Sequence, residues 1–190
     1  MKPATAPRRT CIEGTAKVQL SYGPLFLTAF VALSGVAATA QPSGPTLGCF
    51  ERDYSTAHLA QNPRQIVARM VLNFEIDASG STEIGRMAVW TANQGRLKGS
   101  ANAGRRFDQF LICWNDETSA RCAVECDGGS MRITRDSGKI LQFSTSNLWV
   151  GETEGCGGAV DLAEIKGQTV SYRLNRADDA LCSDVFDRDE

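Results

Sequence analysis

Three of the chain's seven cysteines fall within fourteen residues, Cys113 to Cys126. The run reads Cys-Trp-Asn-Asp-Glu-Thr-Ser-Ala-Arg-Cys-Ala-Val-Glu-Cys. Apolar alternation gives way to a polar turn at Asp116 to Ser119 and then resumes, which is the pattern of a β-hairpin. Cys113 and Cys122 lie symmetrically about that turn and are placed to face each other across it. A hairpin stapled in this way predicts a chain of antiparallel strands wrapped around it.

Staples of this kind need an oxidising compartment, and the N-terminal 40 residues predict one. Lys2, Arg8, Arg9 and Lys17 form a basic start, with Glu13 as the one acid. An apolar run from about Leu25 to Val36 follows, then Ala38-Thr39-Ala40, the small-x-small pattern accepted by a signal peptidase. The apolar run is short for a bilayer span, which needs about 20 residues. Residues 1–40 therefore read as a signal peptide cleaved after Ala40, and 41–48 as a Pro/Gly linker. Residues 49–182 read as one domain and 183–190 as a mobile acidic tail. The expected location is the periplasm or the exterior.

Cleavage removes four of 20 basic and one of 22 acidic residues, leaving 16 and 21 and a net charge of −5. An acidic chain without a Lys/Arg run argues against a nucleic-acid partner. Cys11 departs with the signal, so six cysteines remain. An even number predicts three disulfides, drawn from fifteen possible pairings. Placement suggests Cys113–Cys122 across the hairpin, Cys49–Cys182 tying the domain's ends, and Cys126–Cys156 by remainder. Cys122 and Cys126 also have ligand-like spacing, but the single histidine, His58, leaves a zinc site short of donors. No metal and no cofactor is expected.

Period-2 alternation dominates the body of the chain. Ile66, Ala68, Met70, Leu72, Phe74 and Ile76 share one face of a strand. Glu83 to Ala92, Arg96 to Ala101, Phe107 to Trp114 and Arg121 to Cys126 read as further strands. So do Met131 to Arg135, Ile140 to Phe143, Asn147 to Val150 and Thr169 to Asn175. Ser55 predicts the N-cap of one short helix that Pro63 ends. Gly151 to Gly167 reads as irregular. Eight or nine short strands with tight turns and no βαβ rhythm predict an all-β fold. A small antiparallel meander barrel is expected, with a two-sheet sandwich as the alternative.

Candidate functional residues fall in three groups. His58, with Arg52 and Tyr54, is a candidate general base or ligand-binding cluster, against a helix-surface reading. No Gly-x-Ser-x-Gly accompanies it, and a Ser-His-Asp triad needs no sequence adjacency. Glu152, Glu154, Asp161 and Glu164 crowd the 152–164 loop, where paired-carboxylate hydrolysis competes with a solvated acidic loop. Trp90, Trp114 and Trp149 are candidates to line a cavity in the barrel mouth, against plain core packing. There is no P-loop, no Gly-x-Gly-x-x-Gly after a strand and no Cys-x-x-Cys.

The block from Cys49 to Pro63 resembles the opening of small exported proteins of Gram-negative bacteria without an assigned activity. Cys126-Asp127-Gly128-Gly129 and Glu154-Gly155-Cys156-Gly157-Gly158 resemble further shared features. The resemblance implies a compartment and disulfides, and no reaction. In architecture the chain is also similar to small periplasmic lysozyme-inhibitor barrels, though it lacks their Ser-Gly-Ser-Gly-type loop. The expectation is a non-enzymatic, extracytoplasmic binding module. It would hold a small apolar ligand or bind and inhibit an envelope protein. The alternative is a small periplasmic hydrolase using His58 or the acidic loop.

Overall fold

The computed structural model describes residues 44–116, 118–152 and 158–187. All lie in the second of the chain's two units, Thr39–Glu190. The expected signal peptide, the start of the linker, Glu154, Cys156 and the last three residues of the expected tail lie outside the described residues.

Nine strands are present: β1 (Gly48–Asp53), β2 (Val67–Ile76), β3 (Glu83–Thr91), β4 (Arg106–Asn115), β5 (Ala120–Ala123), β6 (Gly129–Asp136), β7 (Ile140–Glu152), β8 (Gly158–Asp161) and β9 (Val170–Arg176). Helix α1 (Thr56–Gln61) lies between β1 and β2, a 3-10 turn at Gly95–Leu97 between β3 and β4, and helix α2 (Asp179–Phe186) follows β9. Strands β1 to β7 run as an antiparallel meander, and β9 slots between β7 and β1. Pairing of β6 with β7 completes a closed barrel of eight strands, leaving β8 as an extra strand on the far end of β7. The all-β meander barrel is thus present, and closure excludes the sandwich. Closure also pairs strand edges that would otherwise invite association.

Eight strands enclose a space about wide enough for side chains to fill. Here they fill it. Phe50, Phe74, Met87, Leu111, Phe143 and Tyr172 are each at most 2 % exposed and belong to one continuous apolar cluster. Burying side chains of this size contributes about 1.5–3 kcal/mol each. The single polar tip among these six is satisfied: the Tyr172 hydroxyl donates to the Leu162 carbonyl at 2.8 Å.

One irregularity in the wall bears on everything outside it. Ser130 pairs with Asn147 but Arg132 pairs with Ser144, so β7 carries one residue more than β6 across this step. This is a β-bulge. The Thr145 hydroxyl pins it, donating to the Ser130 carbonyl at 2.8 Å and accepting from the Asn147 amide at 3.0 Å. Before the bulge the odd residues Leu141, Phe143 and Thr145 are buried; after it the even residues Leu148 and Val150 are. Asn147 and Trp149 are thereby turned outward.

Outside the barrel, α2 lies over a second apolar cluster of Cys49, Val71, Ala88, Cys182, Val185 and Phe186. Asp178 caps it, accepting from the Ala180 amide. Arg86 and Arg106 donate to the carbonyls of Phe186 and Val185 at 2.6 and 2.7 Å, satisfying the last turn. Cys49–Cys182 ties α2 to β1, and Cys113–Cys122 staples the β4–β5 hairpin where the two cysteines pair directly. Cys126 is also disulfide-bonded; its expected partner, Cys156, is outside the described residues.

Several expectations are corrected. Arg96 to Ala101 is not a strand: Gly95 and Gly99 adopt positive φ, and the segment forms the 3-10 turn and further turns. The two short strands expected between Ile140 and Val150 are one strand interrupted by the bulge. β1 forms at the start of the domain, where no strand was expected, and β8 arises within the segment expected to be irregular. The segment expected to be tail from residue 183 is helical as far as Phe186, because Val185 and Phe186 are buried against the barrel. Among the described residues no helix is long and apolar enough to cross a membrane.

Candidate functional site

The outward turn of β7 builds one wall of a cavity of about 520 Å³. That size falls within the range of small-molecule sites. Ser146, Asn147 and Trp149 come from β7, Asp161 from the end of β8, and Ala163, Lys166 and Gly167 from the loop after it; Arg96 reaches in from the 3-10 turn.

Each wall is fixed by local chemistry. The Trp149 indole Nε1 donates to Asn147 Oδ1 at 2.8 Å, which orients the ring and leaves its faces apolar. Asp161 Oδ1 accepts from the backbone amides of Leu148 and Ala163 at 3.2 and 3.0 Å, clasping the exit of β8 to β7. The 3-10 turn is anchored by Gln94, whose Nε2 donates to the carbonyls of Leu59, Asn62 and Gln65 around the end of α1. Gly95 is required there: its φ is +56°, and a Cβ would meet the Arg64 carbonyl oxygen at 2.6 Å. From this anchored turn the Arg96 guanidinium donates to the Asp161 carbonyl. That acceptor is neutral. Among the described residues neither Arg96 nor Lys166 enters an ion pair, and both are exposed. The site therefore presents an apolar ring beside two cations, with Asp161 already occupied by backbone amides.

The cluster predicted around His58 does assemble. His58 stacks on Tyr54 with ring centroids 4.9 Å apart, and the Arg52 guanidinium lies 5.0 Å from the Tyr54 ring. His58 Nε2 is 3.0 Å from Gln65 Oε1, and Gln65 Nε2 donates to the Val67 carbonyl at 2.8 Å. The histidine is thus held by an amide and a stacked ring. Burial raises the Tyr54 pKa, and Glu164 pushes the same way while Arg52 opposes it. Burial also raises the Glu164 carboxyl, against the nearby charge of Arg64. Burial of Tyr172 drives its hydroxyl far above the ordinary range. Of the acidic 152–164 loop, Asp161 is a structural clasp and Glu164 is half-buried at this end of the barrel. Among the described residues no three His, Cys, Asp or Glu side chains group as metal ligands.

The three tryptophans neither converge on one barrel mouth nor pack in the barrel core. Each neighbours an inward residue (Val89, Cys113, or Leu148 and Val150), and the pleat sends the indole to the outer face. Trp90 sits between Arg69 and Arg106 beside α2. Trp114 is 42 % exposed on β4, four residues along from the exposed Phe110. Trp149 alone lines the 520 Å³ cavity. Sequence reasoning missed Arg96 and Lys166, which stand 53 and 17 residues from Trp149 in the chain and meet it only through the topology.

No protein-family model, no curated protein and no solved structure matches this chain.

Proposed function

We propose that this chain is an exported, non-enzymatic binding module that recognises an envelope component through its outer surface, with the Trp149–Arg96–Lys166 cavity as the recognition element. The observation that carries this reading is the filled barrel: the space in which an apolar ligand would lie is occupied by Phe50, Phe74, Phe143 and Tyr172. Recognition is left to the outside of the wall, where a bulge turns an aromatic ring into a cavity shared with two cations that enter no ion pair among the described residues. Disulfides support an extracytoplasmic location, where such bonds persist. A hydrolase centred on His58 finds no support in its surroundings, because its contacts are Gln65 and the Tyr54 ring rather than a carboxylate and a nucleophile.

The test combines native mass spectrometry of the purified mature domain with amide NMR. The domain is titrated with a panel of simple anions, sugars and sugar acids. The expected result is a mass equal to the protein alone, with shifts confined to Ser146, Asn147, Ala163 and Gly167 for some panel members. A co-purifying apolar molecule, or a panel that shifts none of these amides, overturns the reading.

A further inference from the structure

Resting on that reading of the cavity, we infer that its ligand is an acidic sugar, a pyranose ring carrying a carboxylate, presented as part of an envelope glycan. Three features of the cavity carry this. First, the Trp149 ring is a fixed apolar platform. Its only polar atom, Nε1, is committed to Asn147 Oδ1, so the ring offers a partner a flat apolar face and no donor. A ligand that gains from it must itself present an apolar face, as the C–H face of a pyranose does.

Second, the cavity has a cationic excess held in place before any ligand arrives. Arg96 is oriented by the Asp161 carbonyl and stands on a turn locked by Gln94 and Gly95. A guanidinium matches a carboxylate in a two-pronged geometry, and Lys166 adds a second positive charge on the same rim. Asp161 sets one carboxylate against these two cations and its Oδ1 is turned to two backbone amides, so the lining keeps a net positive charge. Third, the residues of β7 that line the cavity with Trp149, Ser146 and Asn147, are small and hydroxyl- or amide-bearing. Asn147 keeps its Nδ2 donor after accepting from Trp149, and the exposed Ser146 hydroxyl both donates and accepts. Apolar platform, hydroxyl-binding groups and carboxylate-binding cations are the three chemistries that one sugar acid unites. A phosphate or an acidic peptide uses only the last.

The experiment is calorimetric titration of the mature, oxidised domain with a galacturonate tetramer, a neutral galactose tetramer and a glutamate tetrapeptide. The galacturonate tetramer is expected to bind and to shift the Trp149 indole resonance. Its affinity is expected to weaken as salt rises from about 50 to about 500 mM, as an exposed ion pair requires. Trp149→Ala and Arg96→Gln should each weaken binding roughly tenfold or more, the loss of one charge-assisted or platform contact. Trp114→Ala should leave it unchanged, and all three variants should melt as the parent does. Equal binding of the neutral tetramer, or equal binding of the peptide, overturns the sugar-acid assignment. In either case the cavity amides would still shift, so the wider reading of a surface-acting binding module stands. Silence of the cavity toward all three ligands and the whole panel removes both.

Discussion

Two places on the outside of the barrel use the same parts. At one, Trp90 is flanked by Arg69 and Arg106, whose guanidinium carbons lie 4.6 and 5.6 Å from its ring. At the other, Trp149 shares a cavity with Arg96 and Lys166. The difference is where the charge goes. Around Trp90, Arg69 is held by Glu51 at 2.6 Å, and Arg106 by Asp108 at 2.9 Å and by the Val185 carbonyl of α2. Around Trp149 the two cations enter no ion pair among the described residues, and both are exposed. An aromatic ring between two cations is therefore not a signature of function. The internal partners decide whether the group is structure or an open site.

This contrast can be broken in measurable ways. The largest effect is expected where α2 is tethered. Replacing Cys49 and Cys182 with Ser opens a loop spanning 133 residues. The chain-entropy model gives a loss of about 4–5 kcal/mol in denaturant unfolding. The same change at Cys113 and Cys122, 9 residues apart, should cost about 3 kcal/mol. Equal losses would mean that α2 adds nothing to the Trp90 face.

Next come the cations themselves. Arg106→Ala removes a donor from the end of α2 and should cost about 1–2 kcal/mol, discounted for partial exposure. Lys166→Ala should stay within about 0.5 kcal/mol, as for an exposed residue that enters no ion pair among the described residues. Urea unfolding of both variants reads this directly, and a reversed order would erase the distinction between the two faces.

The smallest effect is expected at Asp116, in the turn of the stapled hairpin. Amide hydrogens of Thr118 and Ser119, the Thr118 hydroxyl and the charge of Arg132 hold its carboxyl down at about 2. A carboxylate whose folded pKa is depressed stabilises the fold above its unfolded pKa, near 3.9, and loses that contribution as pH falls through its folded value. The melting midpoints of the parent and Asp116→Asn should therefore differ by a constant amount above about pH 5 and converge toward pH 2. A gap that stays constant throughout would remove the charge of Asp116 as its source.

Much of the barrel is written in alternation. β2, β4 and β9 pack apolar residues on one face, and the pleat makes that visible in sequence. The symmetry of Cys113 and Cys122 about a polar turn made the hairpin equally plain. β1 was hidden because its adjacent Cys49 and Phe50 are both buried, one under α2 and one inside the barrel. α2 carried its own signal, a capping Asp178 before Leu181, Cys182, Val185 and Phe186 at helical spacing, but acidic composition masked it. Of the cavity, only Trp149 could be suspected from sequence. Arg96 and Lys166 belong to turns whose neighbours are set by barrel closure, and no local pattern encodes that. The outward aim of Trp149 depends on a bulge, which breaks the very periodicity used to find strands.

That bulge holds the recognition face in phase with the barrel that carries it. Excising a single residue between Ser144 and Asn147 would restore unbroken alternation through β7 and still leave Leu148 and Val150 inward and Trp149 outward, because the excised residue is the one the bulge absorbs. Straightening the strand with every residue kept would instead slip the phase of all that follows, sending Trp149 toward the interior and Leu148 and Val150 to the solvent. The wall thus tolerates one surplus residue without exchanging what it shows for what it hides.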